Sequence, residues 1–263
     1  MYMRLFYTSV FVLLLCACSQ EVETITFETV TVNKTVAITT DSLSPMCSVN
    51  IRLEQANARS GRVGEIINAT VAERLVGHND ENMQQSAEAF ATDYTNNYIK
   101  MLQPLYNQDN DAPHKQAWYH YHYIINSRTQ AGSKGTVVYL ADINYREGGD
   151  HAVNQRVVMN FEAKTGRLLN IRNVFIEGFE EQLKPLLLKA LQEKTGHDTM
   201  KALHDNGYLN NSDIYVPENF ILGSDAITFV YNPDEIAPYT VGSIELTIAY
   251  ATVDRILSSM FEY

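Results

Sequence analysis

Two histidines one residue apart, His120 and His122, are the sharpest candidates for chemistry in this sequence. On an extended strand, alternate side chains share a face, so the two imidazoles would stand about 7 Å apart. That arrangement can supply two zinc ligands, with His114 or His151 as a third. A metal held there would suit a glycan-modifying hydrolase. The setting points elsewhere. Residues 118–125 read as an aromatic strand, in which histidine packs or faces water. Asp150-His151 has the residue types of an acid–base pair but reads as a turn with an exposed imidazole. Asp234 and Glu235 are neighbours, and on an extended chain they point opposite ways, so they do not form a carboxylate dyad. No nucleotide loop, zincin helix, nucleophile elbow or CxxC is present. The expectation is no catalytic residue, no cofactor and no metal, with His120 and His122 as the residues a metal would use.

The elements that must position these residues begin after an export signal. Arg4 is the only charge before Glu21, and an apolar run covers Val10 to Leu15. That run is shorter than the roughly 20 residues needed to span a bilayer. Leu15-Cys16-Ala17-Cys18 resembles the lipobox of bacterial lipoproteins, with Cys18 as acceptor because small Ala17 precedes it. The expected product is anchored through acyl chains such as palmitate on Cys18. It lies outside the cytoplasm, on the outer membrane, facing the periplasm or the surface. Gln20, Glu21 and Glu23 also resemble the acidic surface-export tag of Bacteroidetes lipoproteins.

Cleavage after residue 17 leaves 246 residues, enough for one large domain or two small ones. The full chain carries a net charge of −11, and loss of Arg4 makes the processed chain −12. Such a surface repels nucleic acid and favours basic partners. If Cys18 carries lipid, Cys47 has no intramolecular partner, so the fold stands without disulfides. Cys47 lies in a strand-like run and reads as buried and inert.

Residues 22–39 and 46–54 read as strands. Val63, Ile66, Ile67, Val71 and Leu75 define one face of a helix that Gly77 closes. A longer helix follows, with Phe90, Tyr94, Ile99, Met101, Leu102 and Leu105 as its buried side and an end at Pro104 and the polar stretch 107–115. Two strands then flank a turn near Gly132 and Gly135. Another strand precedes the tight turn Lys164-Thr165-Gly166-Arg167 and a short strand beyond it. Residues 177–196 read as a helix with glutamates first and lysines last, as the helix dipole favours. Pro185 inside it predicts a late start or a kink. Strands at 219–222, 226–231 and 243–250 and a last helix from Thr252 complete the chain. This order predicts an α+β fold, with antiparallel sheets packed against helices in two lobes meeting near residues 145–150.

Three segments carry a resemblance. They are Gly148-Gly149-Asp150-His151, the hairpin Asn160 to Leu169 followed by Asn173-Val174-Phe175, and Tyr231-Asn232-Pro233-Asp234-Glu235-Ile236-Ala237-Pro238-Tyr239-Thr240-Val241-Gly242. Together they resemble the extracytoplasmic domain shared by the lysozyme-sensing anti-sigma factor RsiV and the peptidoglycan deacetylase PdaC. The resemblance covers roughly 145–255. Residues 46–145 resemble the partner domain that precedes it. The sigma-binding segment and the catalytic domain of those proteins have no counterpart in these residues, so their activities are not expected to transfer. The resemblance implies a non-catalytic envelope module binding a basic, lysozyme-like protein or cell-wall glycan. Its contact surface is expected at Gly149, Asp150, His151, Pro233, Glu235, Pro238 and Tyr239. The expected division is a signal peptide over 1–17, a tether and first strand region over 18–45, an N-terminal α+β lobe over 46–145 and a C-terminal domain over 146–263.

Overall fold

The computed structural model describes residues 25–111, 114–133, 135–149, 151–210, 212–259 and 261. The signal segment and Cys18 lie outside these, as does Asp150. The fold is α+β, built on two sheets. The first has six strands in the order β1-β2-β3-β4-β5-β6. They are β1 (Phe27–Ala37), β2 (Met46–Ala56), β3 (Tyr121–Ala131), β4 (Thr136–Glu147), β5 (Val153–Glu162) and β6 (Leu168–Leu169). Between β2 and β3 run α1 (Gly61–Val76), α2 (Met83–Gln108) and the single turn α3 (Gln116–Tyr119). After β6 come α4 (Ile171–Val174), α5 (Phe179–Thr195) and α6 (Met200–Asp205). The second sheet follows, with β7 (Phe220–Leu222), β8 (Ala226–Tyr231) and β9 (Ile244–Ala249), and then α7 (Tyr250–Val253).

Alternation along the strands gives the first sheet two unlike faces. Val49, Ile51, Leu53, Ile125, Tyr139 and Phe161 are buried with Ile67, Val71, Ala87 and Ala91 of α1 and α2. The opposite set includes exposed Thr31, Asn33, Asn50, Arg52 and Asn126, so most of that face is open and polar. A second core forms where Leu183, Leu187 and Leu191 of α5 meet Phe229, Leu246 and Ile248 of the three-stranded sheet.

Sequence and structure part company at several elements. β2 and β3 are parallel, a pairing made possible by the long crossover through α1 and α2. Pro104 does not end α2, which continues to Gln108. The bond it forfeits is to exposed Lys100, near the helix end, where the loss costs less than in a buried helix interior. Met101 and Leu105 are exposed, and small Ala87, Ala91 and Thr95 form much of the buried side instead. α5 starts at Phe179, upstream of Pro185, and runs through it. Residue 145 falls within β4, whose pairing with β5 holds both in one sheet; the passage to the second sheet comes after β6.

The two sheets are joined at the outer edge of β5. Asn219 stands in for a strand there, donating to the Arg156 carbonyl (2.9 Å) and accepting from the Val158 N–H (2.8 Å). Asn232 accepts from the Arg156 N–H at 2.7 Å. In the reverse direction Asn160, 1% exposed, donates to the Phe220 carbonyl (2.7 Å) and accepts from the Leu222 N–H (3.0 Å) on the free edge of β7. Three side-chain amides thus occupy edge groups that would otherwise be buried unpaired.

Candidate functional site

His120 and His122 are not a strand pair. Trp118 and Tyr119 belong to the helical turn α3, and His120 caps it before β3 begins. The His120 Nδ1 accepts from the Met46 N–H at 3.3 Å, while His122 turns to Asn144 on the open face. The aromatic run misled the strand assignment: three aromatic or histidine residues sit in a turn closed by the His120 N–H on the Gln116 carbonyl. Among the described residues no three His, Cys, Asp or Glu side chains are grouped as metal ligands.

His122 instead begins a directed relay across the open face. Its Nε2 donates to Asn144 Oδ1 (2.6 Å). Asn144 donates to Asn154 (2.7 Å), and Asn154 donates to the Tyr239 hydroxyl (2.8 Å). Tyr239 donates in turn to the Ala152 carbonyl at 2.5 Å. Asn144, Asn154 and Tyr239 each both receive and give, so the bonds polarise one another in one direction. The relay crosses from β3 to the segment before β9. No local pattern in the sequence marks it, because Asn144 and Asn154 stand on different strands and meet only in the sheet.

The same bonds bring together two of the three segments noted in the sequence. The His151 and Tyr239 ring centroids lie 6.2 Å apart. Gly148 lets the chain before His151 pass close to α3: at φ +81° a Cβ there would meet the Trp118 carbonyl oxygen at 2.8 Å. Pro238 and His151 are exposed, as are the apolar side chains Val241, in the second segment, and Val153, two residues beyond the first.

The 231–242 segment is held from every side. Asn232 to Glu235 form a turn with Pro233 second and Asp234 third, at φ +69°, the pattern of a type II turn. Asp234 and Glu235 are therefore not extended. Glu235 accepts from the Tyr215 hydroxyl (2.9 Å), and the Tyr231 hydroxyl donates to the Tyr215 carbonyl. Pro238 lies against Gly207. A groove of about 340 Å³ runs beside it, lined by Gly207, Asn210, Asp234, Glu235, Ile236, Ala237 and Pro238. Of the residues expected to bind, Glu235 is thus engaged internally, and His151 and Tyr239 stand side by side. Gly149 sits in the turn before β5. A second groove, about 580 Å³, lies at the α1–α2 end and carries Glu28, Glu65, Asp80 and Glu81.

Charge on the open face is mostly matched. Arg156 bonds Asp142 (2.6 Å) and Glu245 (2.7 Å), and Arg128 reaches Asp142 at 2.8 Å. Burial raises the Asp142 carboxyl, but the two guanidiniums outweigh it and hold the group below the usual carboxylate range.

Cys47 is fully buried, and burial, with a smaller contribution from the charge of Glu147, pushes its thiol up to about 12. A chain beginning at Ser19 carries this thiol alone. At pH 8 we expect iodoacetamide to modify it ~1000-fold more slowly in the folded than in the denatured state, from thiolate fraction alone. Equal rates in the two states would contradict the burial.

The family model for a protein of unknown function, DUF3298, matches residues 172–251, which is the part of the chain from α4 to the start of α7. No curated protein matches the chain significantly. A crystal structure of a DUF3298 family member from Bacteroides fragilis NCTC 9343 is similar over 92% of this chain and 98% of that one, with a TM-score of 0.84 and 28% identity. A DUF3298 family protein from Pseudomonas aeruginosa PAO1 has the same fold at 14% identity, with a TM-score of 0.62 over 91% of this chain and 97% of that one.

Proposed function

We propose that this chain is a non-catalytic binding module, held on the envelope by lipid on Cys18, that presents the paired segments 148–153 and 233–241 to a basic protein of lysozyme type. The observation that carries the reading is the juxtaposition of those segments: Tyr239 bonds the Ala152 carbonyl and lies beside His151. A preformed, partly apolar rim loses little freedom on binding. The resemblance to RsiV supplies the kind of partner, and the net charge of −11 favours a basic one. Among the described residues no helix is long and apolar enough to cross a membrane. The lipid is the membrane attachment in this proposal.

Calorimetry with egg-white lysozyme tests it, using the chain from Ser19 onward. Binding should keep its stoichiometry at about 0.5 M salt, where charge attraction is screened beyond a few ångströms. Tyr239→Ala should weaken it by about tenfold or more, as loss of an aromatic anchor does. Tyr239→Phe, which keeps the ring but loses the bond to the Ala152 carbonyl, should weaken it less than Tyr239→Ala does. Loss of all binding at that salt concentration, or equal binding of the unrelated basic protein cytochrome c, would refute the proposal.

A further inference from the structure

On the open face, Ser48, His122 and Arg146 lie in one row across β2, β3 and β4: Ser48 is in register with His122, and His122 with Arg146. Arg146 differs from the other arginines of that face. Arg52 is paired with Glu54, Arg128 with Asp142, and Arg156 with both Asp142 and Glu245. Arg146 has no ion pair among the described residues. Its Nε is shielded from solvent and has no hydrogen-bond acceptor. The neighbouring Glu147 cannot serve it, because alternation sends that carboxylate to the helix-covered face, where its charge acts on Cys47, Tyr121 and Tyr123.

A half-buried guanidinium left unpaired is unfavourable, and a chain with 31 acidic residues has ample means to pair it. We infer that Arg146, with His122 beside it and Ser48 one strand further along the row, is a binding subsite for the carboxylate of an acidic sugar. The Nη1–Nη2 edge of the guanidinium, which is not shielded as Nε is, matches a carboxylate with two parallel N–H bonds. The relay supplies a second element of recognition. His122 donates through Nε2 to Asn144, so its neutral ring presents Nδ1 as an acceptor for a sugar hydroxyl. Exposed Asn50 and Asn126 extend the same face with amides that both donate and accept. This inference does not rest on the paired segments around Tyr239, and either can fail without the other.

The test is a titration of the chain from Ser19 onward with D-glucuronate, D-glucose and acetate, followed by the backbone amide NMR shifts of Ser48, His122 and Arg146. Glucose lacks only the carboxylate, and acetate lacks the sugar. Glucuronate should move these signals and bind at least about tenfold more tightly than either, since a charged fork bond is strong and hydroxyl contacts add to it. Arg146→Gln should abolish that advantage, while Arg146→Lys, which keeps charge but not the fork, should retain part of it. Neither variant should lower the thermal midpoint appreciably, because the Arg146 side chain makes no hydrogen bond or ion pair among the described residues. Glucuronate binding no better than glucose, acetate matching glucuronate, or undiminished binding by Arg146→Gln would each overturn the inference.

Discussion

Asn160→Leu is expected to lower the thermal midpoint by about 6–12 °C, corresponding to about 3 kcal/mol in a chain of this size. Leucine has the same branched side-chain skeleton with bulkier ends, so no cavity is left. What is lost is the pair of bonds to the Phe220 carbonyl and the Leu222 N–H, at 2.7 and 3.0 Å. Both backbone groups would stay buried with no partner, and that desolvation is the larger part of the cost. Asn160→Asp separates the two bonds. Its carboxylate still accepts from Leu222 but faces the Phe220 carbonyl with no donor. It should therefore be no better than leucine above the carboxylate pKa and should recover as the pH falls and the acid gains a proton. Differential scanning calorimetry at two pH values measures both effects. A midpoint within 2 °C of the unmodified protein would mean that the two sheets do not depend on this residue.

The role of Asn160 was hidden in the sequence for a physical reason. Its neighbours Phe161 and Leu169 announce a hairpin, and Gly166 announces the turn, where φ is +75° and a Cβ would meet the Val63 carbonyl oxygen at 2.7 Å. Those signals are local. An asparagine that bonds residues sixty positions away leaves no local pattern, and its polarity argues wrongly for exposure. The same holds for Asn144 and Asn154, whose relay exists only because three strands set them side by side. Elements with a clear period were readable: Leu183, Leu187 and Leu191 mark the buried stripe of α5, and β3 alternates buried and exposed from Ile125 to Arg128. Readings that relied on bulk failed at the end of α2. Met101 and Leu105 suggested a buried face there, but the packing surface is carried by small residues. The candidate site was readable only in part. Its segments stood out by their glycines, prolines and tyrosines, while the groups that join them did not.

Phe229→Ala should cost about 4 kcal/mol, or about 8–16 °C in midpoint, the scale of a phenylalanine truncated in a closed core. Phe229 is fully buried in the central strand of the second sheet, between Phe220 on β7 and Leu246 on β9. The strand neighbours on both sides are fixed by backbone bonds, so the void cannot close fully. Phe229→Leu keeps most of the volume and should cost less than about 1.5 kcal/mol. The molecule contains its own reporter of coupling between the lobes. Its single tryptophan, Trp118, lies beside the turn at Gly148 in the first lobe, far along the chain from Phe229. In urea, Phe229→Ala should shift the tryptophan fluorescence and the far-ultraviolet circular dichroism midpoints together, because Asn160, Asn219, Asn232 and Arg156 tie one sheet to the other. Adding Asn160→Leu should pull the two transitions apart, with the tryptophan signal surviving to higher urea. Coincident curves in the double variant would show that the lobes stay coupled without Asn160, and separate curves in Phe229→Ala alone would show that these ties never coupled them.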